Sequence, residues 1–370
     1  MIKREEGFTL IELLVTMVVF VIAIAAASQM FVDMLTQFKQ QSRIAESNIE
    51  GIVGLELLRR DVGHAGYGLP WNPSTLPAYA EAVDFAATTT HNETIFNDAP
   101  TNPPRAFVSG NGNGINGSDV LVIKALNIST DDVAQRWTLL GYGNVKRDDL
   151  SGDTLIGTNQ VIVISPGSTD ANSRTLVGTT TYGATAGLAP SNPDNRVEIF
   201  TIYAVDSASL RMPFNRADYY IRTPAIDFPT RCASGTGILY KATVNHGGVA
   251  GGLTEFPILD CAADMQIVYR LDTNGDGTID TTTNDLAGFT AQQIRNVKEA
   301  RVYILTHEGR RDARYTFTNF TGVTTCPTCI RVGESPALGR DFDLSIIANF
   351  QNYRWKVYTV VAKTNNLRGK

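Results

Sequence analysis

The stretch Gly7-Phe8-Thr9-Leu10-Ile11-Glu12-Leu13-Leu14-Val15 opens a long apolar run that ends at Phe31. Glu12 is the only charged residue between Phe8 and Phe31. As an α-helix, the run is about 36 Å long, whereas a bilayer core requires roughly 20 apolar residues. The sequence therefore predicts a membrane-spanning helix over residues 8–31, with one carboxyl group inside it.

Two ordinary explanations of such a segment are a cleaved secretory signal and a plain membrane anchor. Lys3 and Arg4 supply the basic flank of a signal peptide, but the apolar run is too long and no A-x-A-type site closes it. Gly7 is the small residue in a cleavable setting, and it precedes the run. The segment resembles the class III signal of type IV prepilins, in which a dedicated peptidase cuts after the glycine and methylates the new N-terminus. The resemblance implies that Phe8 becomes the N-terminus and that Glu12 is the acid at the fifth mature position.

The chemistry of a carboxyl group in an apolar helix suggests a role for Glu12. A buried, ionised carboxylate is disfavoured unless it is paired with an opposite charge. When subunits stack with their apolar helices side by side, the free amine of an incoming Phe8 can lie beside Glu12 of a neighbour. That contact would fix the axial register, as a single buried polar group does in a coiled coil. We therefore expect Gly7 and Phe8 to be processing residues and Glu12 to be an assembly residue.

The composition of the chain bounds its class and its partners. Of its 370 residues, 43% are hydrophobic and 19% are charged, which is enough for a substantial core without disulfides. The formal net charge of −5 gives no electrostatic footprint for nucleic acid, and no nucleic-acid partner is predicted. Lys3 and Arg4 precede the single span, so the positive-inside rule places residues 1–7 in the cytoplasm and the bulk of the protein on the other side.

The helical pattern continues beyond the membrane-spanning run. Apolar residues recur at three- and four-residue steps from Leu35 to Val53, with charged residues between them. No proline occurs after the start of the run until Pro70, and a glycine-rich stretch before this proline ends the helix. The predicted organisation is a leader peptide at residues 1–7, a long helix at 8–61 and a β-rich globular domain at 62–370.

Within the predicted domain, short runs of β-branched and aromatic residues alternate with Gly, Asn, Pro and Asp. These runs predict strands near Asp119–Ala125, Val161–Ser165, Val197–Val205, Tyr219–Arg222, Gly237–Val244, Met265–Leu271, Ala300–Thr306, Arg314–Thr318 and Tyr353–Ala362. Short helices are predicted at Thr254–Ala263 and Thr290–Lys298, and long polar loops at 72–117 and 166–195. The predicted fold class is α+β and type IV pilin-like, with a long N-terminal helix packed on a large, mostly antiparallel β-rich domain.

Several later segments resemble the PilW-type minor pilins and follow one another in that family's order. They are Leu58–Asp61 with Ala65–Tyr67, Gly117–Leu121, Met265–Tyr269, Asp272–Gly277 and Val297–Val302. The resemblance implies a non-catalytic assembly, priming or tip subunit of a type IV pilus, with roles in adhesion or motility. Its implied partners are other minor and major pilins through the N-terminal helix, the prepilin peptidase and a tip adhesin. Its implied location is the inner membrane before assembly, as a single-pass protein, and then a periplasm-spanning pilus or the cell surface. A minor pseudopilin of a type II secretion system shares the signal and the architecture.

The run Asp272-Thr273-Asn274-Gly275-Asp276-Gly277-Thr278-Ile279-Asp280 matches the opening of a calcium-binding loop. The candidate Ca²⁺ ligands are the side chains of Asp272, Asn274, Asp276 and Asp280 with the carbonyl of Thr278. Position twelve is Thr283 rather than the bidentate Glu of an EF-hand, although Asp285 could substitute. A hairpin turn is the alternative, because Asn-Gly and Asp-Gly are strong turn signals. Ca²⁺ is the one cofactor that the sequence suggests.

The four cysteines predict two disulfides, because thiols outside the inner membrane tend to oxidise. Three pairings are open from sequence alone, and Cys232–Cys261 with Cys326–Cys329 is preferred. The Cys-x-x-Cys also admits a membrane-tethered thiol oxidoreductase that uses Cys326 and Cys329, and a zinc site of all four cysteines is a further alternative. A thioredoxin-like site places its first cysteine at a helix N-terminus, whereas Ile330–Gly333 predicts a strand and a turn. Cys232 and Cys261 lack the close spacing of zinc ligands.

The sequence gives little sign of catalysis. The histidines are scattered, at His64, His91, His246 and His307, and no spacing among them marks a metal site. The sequence has no HExxH motif, no G-x-S-x-G elbow and no phosphate-binding P-loop. We therefore expect a protein that is not an enzyme.

Overall fold

The computed structural model of the chain describes residues 9–71, 77–84, 92–143, 145–146, 155–167, 174–177, 183–185, 193–322 and 325–367. The chain divides into two compact units, Met1–Ile49 and Glu50–Lys370, and each is described by itself. The division falls inside the long helix, whereas the sequence analysis starts the globular domain at residue 62. The predicted leader at residues 1–7 lies outside the described residues.

One continuous helix, α1 (Leu10–His64), forms the first unit and continues into the second. Its stretch Leu10–Lys39 reaches a mean hydropathy of 2.7 and is long and apolar enough to cross a membrane. The side chains from Leu10 to Val32 are exposed, so this part of the helix has no protein core to cover it. The predicted long N-terminal helix is confirmed.

The last turns of α1 belong to the core of the second unit. Leu55, Leu58 and Val62 are buried there, one to two turns apart on one face of the helix. Gly54 brings the helix backbone close to the sheet, because a Cβ at this position would lie 2.0 Å from the carbonyl oxygen of Ile258. This glycine therefore permits close packing, which the sequence alone does not reveal.

A buried ion pair also holds this part of the helix. The carboxylate of Asp61 lies 2.5 Å from Nζ of Lys241 and accepts a hydrogen bond of 2.6 Å from the hydroxyl of Tyr219. All three side chains are buried. The paired strands that carry Lys241 and Tyr219 thus neutralise a carboxylate that would otherwise oppose docking of the helix.

The second unit is built mainly from strands. In chain order these are β1 (Phe107–Gly110), β2 (Val120–Ala125), β3 (Trp137–Gly141), β4 (Val145–Lys146), β5 (Gln160–Ser165), β6 (Thr175–Leu176), β7 (Ala184–Thr185), β8 (Phe200–Asp206), β9 (Asn215–Arg222), β10 (Gly237–Val244), β11 (Leu253–Leu271), β12 (Thr281–Thr283), β13 (Val297–Glu308), β14 (Cys329–Ser335), β15 (Leu338–Asp343) and β16 (Arg354–Lys363). One short helix, α2 (Ala291–Ile294), precedes β13.

The main sheet is antiparallel and has the order β1-β2-β9-β10-β11-β13-β16, with β12 added to β11. Side chains alternate between its two faces, as the pleat requires. From β13, Val302 and Ile304 enter the core that contains α1, whereas Tyr303 and Leu305 enter a second core. The β14–β15 hairpin covers that second core through Ile330 and other residues. The predicted fold class, α+β with a large antiparallel domain, is confirmed.

A smaller antiparallel sheet, ordered β4-β3-β8-β5-β6 with β7 on β5, lies in the chain between β2 and β9. One face of β5 shares a separate core with β3 and β8, through Leu140, Val161, Val163 and Ile202. β2 and β9 pair directly with each other, so residues 126–214 form an insertion between two neighbouring strands of the main sheet.

Three predicted elements differ in the structure. The predicted helix at Thr254–Ala263 is wrong, because this segment is the first half of β11, whose pairing with β10 overrides local preference. The helix predicted at Thr290–Lys298 shortens to α2, after which β13 begins at Val297. The strand predicted at Arg314–Thr318 is wrong, because this segment is irregular and its Phe317 N–H donates to the carbonyl of Gln351.

Candidate assembly segment and candidate calcium loop

Thr9 and Glu12 form a reciprocal pair at the start of α1. The backbone N–H of Thr9 donates to Oε2 of Glu12 at 2.9 Å, and its hydroxyl donates to the same oxygen at 2.8 Å. The N–H of Glu12 donates to Oγ1 of Thr9 at 3.4 Å. This arrangement is a capping box, which satisfies otherwise unpaired N–H groups at a helix start. Its signal, Thr-x-x-Glu before an apolar run, was present in the sequence but was not used.

The capping box does not neutralise the charge of Glu12. Among the described residues, no lysine or arginine lies within ion-pair distance of this carboxylate, although residues 1–8 lie outside the description. All the groups in the box belong to Thr9 and Glu12, so cleavage after Gly7 would leave the box intact. Glu12 can therefore start the helix while its negative charge has no cationic partner among the described residues.

Asp272 organises the predicted calcium loop. Its side chain is buried at the end of β11, and its Oδ1 accepts from the N–H groups of Gly275 at 2.7 Å and Asp276 at 3.1 Å. Its Oδ2 accepts from the N–H of Gly277 at 2.8 Å. Gly275 and Gly277 have φ angles of 78° and 92°, which glycine adopts most readily. The glycine spacing seen in the sequence thus serves a tight turn around one carboxylate.

The other loop carboxylates also accept hydrogen bonds from within the loop. Asp280 accepts from the N–H of Thr273 at 3.0 Å and from its hydroxyl at 2.9 Å, and the backbone bond is the main cause of its lowered pKa. Asp276 accepts from the N–H of Thr278 at 2.7 Å and from Nδ2 of Asn274 at 3.1 Å. Hydrogen bonds from Thr278 lower the pKa of Asp276. The structure therefore gathers the four candidate side-chain ligands into one loop.

Two features of this loop were not predicted. Nζ of Lys298, on β13, lies 3.3 Å from Oδ2 of Asp272 and supplies a positive charge to the buried carboxylate. Asp285, the alternative ligand for position twelve, accepts from the hydroxyl of Ser109 at 2.9 Å and from the N–H of Ala287 at 2.9 Å. The oxygen donors suit a hard cation, but no bidentate acid stands at position twelve.

The cysteines pair as the sequence analysis prefers, Cys232 with Cys261 and Cys326 with Cys329. Cys329 is the first residue of strand β14, so the Cys-x-x-Cys lacks the helix N-terminus that activates a thioredoxin-like thiol. The predicted strand and turn after Cys329 agree with β14.

The described histidines have structural surroundings. The N–H of Ala233 donates to Nε2 of buried His307 at 2.9 Å, and burial lowers the pKa of this histidine to about 3. The N–H of Arg211 donates to Nδ1 of His246 at 3.1 Å, and burial lowers its pKa. His91 lies outside the described residues.

Sequence reasoning missed a buried ionic cluster. Nζ of Lys124, on β2, lies 2.7 Å from both Glu81 and Asp98, and Arg216, on β9, contacts Glu81 at 3.2 Å and Asp218 at 2.7 Å. All five side chains are almost fully buried. A lysine within the apolar strand Val-Leu-Val-Ile-Lys-Ala was the available signal, but its partners lie far away in the sequence.

Comparison with known proteins gives a family match at the N-terminus. The model of the prokaryotic N-terminal methylation motif matches residues 2–28. A type IV-like pilin from Thermus thermophilus is similar over 42% of this chain and 69% of its own, with 16% identity and a TM-score of 0.25. A comparison with curated proteins finds none that match.

The match shows that residues 2–28 carry the prokaryotic N-terminal methylation motif. The motif and the apolar helix together indicate anchoring in a membrane.

Proposed function

We propose that this chain is a minor subunit of a type IV pilus, of PilW type, which helps to start or cap the fibre. The observation that carries the proposal is the methylation motif at the head of an exposed apolar helix whose carboxylate, Glu12, has no cation among the described residues. A large domain after the helix favours a low-abundance subunit over a short major pilin. Other pilins, the prepilin peptidase and a tip adhesin would be its partners.

The proposed route begins in the inner membrane. The helix would anchor the chain there with its N-terminus in the cytoplasm, and the second unit would lie outside. Extraction of the subunit into a fibre would move the apolar side chains of Leu10–Val32 from lipid to neighbouring helices. Both surroundings are apolar, so the transfer costs little, while the pairing of Glu12 with the amine of a neighbouring Phe8 would select the register.

The intact mass and N-terminal residue of the protein from its native membrane test the proposal. A chain that begins at N-methylated Phe8 is the expected result. A chain that still carries Met1–Gly7, or one cut after residue 27, would contradict it.

A minor pseudopilin of a type II secretion system is the second candidate, because it would share the same processing. Deletion of the chain separates the two candidates. Loss of surface pili with normal secretion supports the pilus, whereas loss of secretion with normal pili supports the secretion system.

A thiol oxidoreductase is the candidate from a different class. The spacing of Cys326 and Cys329 supports this candidate. The local structure argues against it, because Cys329 begins a strand and Cys326 does not lie at the start of a helix. Titration of thiols under mild reductant separates the candidates, since a catalytic pair exchanges readily and a structural disulfide resists.

We further propose that the Asp272–Asp280 loop binds Ca²⁺ weakly, in the range of about 10⁻⁴–10⁻³ M that is common for extracellular modules. Lys298 competes, because its ammonium already compensates Asp272. Calorimetric titration with Ca²⁺ should show binding that Asp280→Asn removes and Asp285→Asn preserves. Equal binding by both variants would contradict this assignment.

A further inference from the structure

The base of the β14–β15 hairpin brings two sulfurs and one carboxylate together. Cys329 and Asp343 are register partners across the hairpin. A turn closed by the Cys329 N–H to the carbonyl of Cys326, at 3.2 Å, places Cys326 beside them. The two Sγ atoms and a carboxylate oxygen of Asp343 lie within 4.8 Å of one another. Among the described residues, this is the one group of three such ligands that is so close.

Asp343 differs from most buried or half-buried acids of this protein because its hydrogen-bond partners are neutral. Its Oδ1 accepts from the hydroxyl of Thr328 at 2.7 Å and from the N–H of Ser345 at 2.9 Å. Its Oδ2 accepts from the hydroxyl of Ser345 at 2.8 Å. By contrast, Asp341 on the same strand forms an ion pair with Arg331. The charge of Asp343 thus has no cationic side chain against it in the described structure.

The hydrogen bonds to Asp343 also prepare it as a ligand. Thr328 and Ser345 together donate three hydrogen bonds to its two oxygens. They also fix its orientation, as outer-sphere partners do for ligands in metal sites.

We propose that Cys326, Cys329 and Asp343 form a redox-gated binding site for Zn²⁺. The disulfide closes the site, and its reduction opens it. Cys-x-x-Cys is the spacing with which two thiolates of one turn commonly bind zinc. Zinc sites with three protein ligands keep a fourth position for water.

Reduction lets the three ligand atoms reach the spacing that zinc requires. Zn–S bonds of about 2.3 Å and Zn–O bonds of about 2.1 Å place tetrahedral ligands roughly 3.6–3.8 Å apart. In the disulfide the two Sγ atoms are bonded to each other, so on reduction they would move apart to about 3.8 Å, while the carboxylate oxygen of Asp343, which lies within 4.8 Å of both, would approach by about an ångström. Cys326 and Asp343 are half-buried while Cys329 is buried, so reductant and ion can enter from the side of Cys326.

The chemistry balances in two steps. An external dithiol reduces the Cys326–Cys329 bond: the dithiol becomes a disulfide, and each cysteine sulfur gains one electron and one proton. Zn²⁺ then displaces the two thiol protons to solvent and binds both sulfurs, while the carboxylate of Asp343 adds one oxygen. Oxidation reverses the sequence and releases the ion.

Zinc titration of the full-length protein in detergent tests the proposal. The protein is reduced with a trialkylphosphine, which becomes the phosphine oxide, and is titrated with Zn²⁺ against a chromophoric chelator. The expected result is one Zn²⁺ per chain in the reduced form and none in the oxidised form. Asp343→Asn should weaken binding at least about tenfold, and the double variant Cys326→Ser/Cys329→Ser should abolish it.

Asp341→Asn is the matched control, since it removes a carboxylate two residues away on the same strand and should leave zinc binding unchanged. Cys232→Ser/Cys261→Ser removes the other disulfide and should also retain one Zn²⁺. The proposal is overturned if the reduced protein binds no zinc, or if the Cys326/Cys329 variant still binds it. Equal affinities for the Asp343 and Asp341 variants would also overturn it, because they would indicate binding by thiols of an unfolded chain.

Discussion

At the scale of single residues, Glu12 caps the start of the helix, and the proposed function gives the same carboxylate a second role in assembly. Its oxygen caps the helix through Thr9, which uses hydrogen bonds, while its negative charge stays available for a neighbour. The two roles depend on different properties of the side chain and can be separated by substitution.

Glu12→Gln should insert in the membrane and be processed normally but enter filaments at least about tenfold less than wild type, because an amide oxygen caps the helix and carries no charge. Glu12→Ala should lose the cap as well and also assemble poorly. Immunoblots of membrane and sheared-filament fractions measure both effects. Normal filament incorporation of either variant would refute the assembly role.

The Asp61–Lys241 pair allows a second test at this scale. Asp61→Asn leaves a buried ammonium without its counter-charge and should lower the free energy of unfolding by about 3–5 kcal/mol. Denaturant unfolding of the detergent-solubilised protein measures the loss. The double variant Asp61→Asn/Lys241→Met should recover much of it, and no recovery would show that the charge is not the cause.

Asp119 predicts a pH dependence. Burial raises its pKa from 3.8 to about 7, against hydrogen bonds from Gly112 and Ile267 that lower it. Between these two pH values the folded chain keeps a proton that the unfolded chain loses, so stability falls as pH rises, by up to about 1.4 kcal/mol per pH unit. Asp264 and Arg340 also face this carboxyl.

His307, with its lowered pKa, has the opposite pH dependence below about pH 6.5, so the Asp119 contribution must be isolated by difference. The free energy of unfolding of wild type minus that of Asp119→Asn should decline from pH 4 to pH 7 and be level above it. A difference that is independent of pH would contradict the assignment.

At the scale of elements, α1 was predictable because its signals are local. The apolar run, the basic flank and the terminal glycines all lie within one segment of sequence. The first half of β11 was not predictable in this way, because its conformation depends on pairing with β10. The sequence of Thr254–Ala263 contains no local signal for this pairing. The same holds for Gly54, whose role depends on the carbonyl of Ile258.

Two glycines of α1 give a matched test of helix docking. Gly54→Ala should destabilise the protein by roughly 1–3 kcal/mol, because its Cβ would overlap the sheet backbone. Gly63→Ala should be neutral or stabilise by up to about 1 kcal/mol, since its Cβ would lie 3.6 Å from the carbonyl oxygen of Lys363. Thermal unfolding of both variants distinguishes them, and equal losses would argue against close packing at Gly54.

At the scale of the whole molecule, the sequence predicted the N-terminal helix and the β-rich class of the domain. It did not predict how the strands of the domain are arranged in sheets. Strands such as β10 were located, whereas the second sheet was not recognised as a separate layer. The ionic cluster of Lys124 and Arg216 was also missed, since Glu81 and Asp98 approach them only after folding. The candidate calcium loop was located from its glycine spacing, but its contact with Lys298 was not predicted, because this lysine lies on a neighbouring strand.

The direct pairing of β2 with β9 means that the chain leaves the main sheet and returns to it at adjacent points. Loops within residues 126–214 can therefore change in length without shifting the register of the main sheet, provided that residues such as Ile162, Ile164 and Phe214 keep their places in the main core. Closing a longer connection costs little, about 0.6 kcal/mol for each doubling of its length. The loops that join the strands of the smaller sheet can thus differ in length while the main sheet and the end of α1 packed on it stay the same.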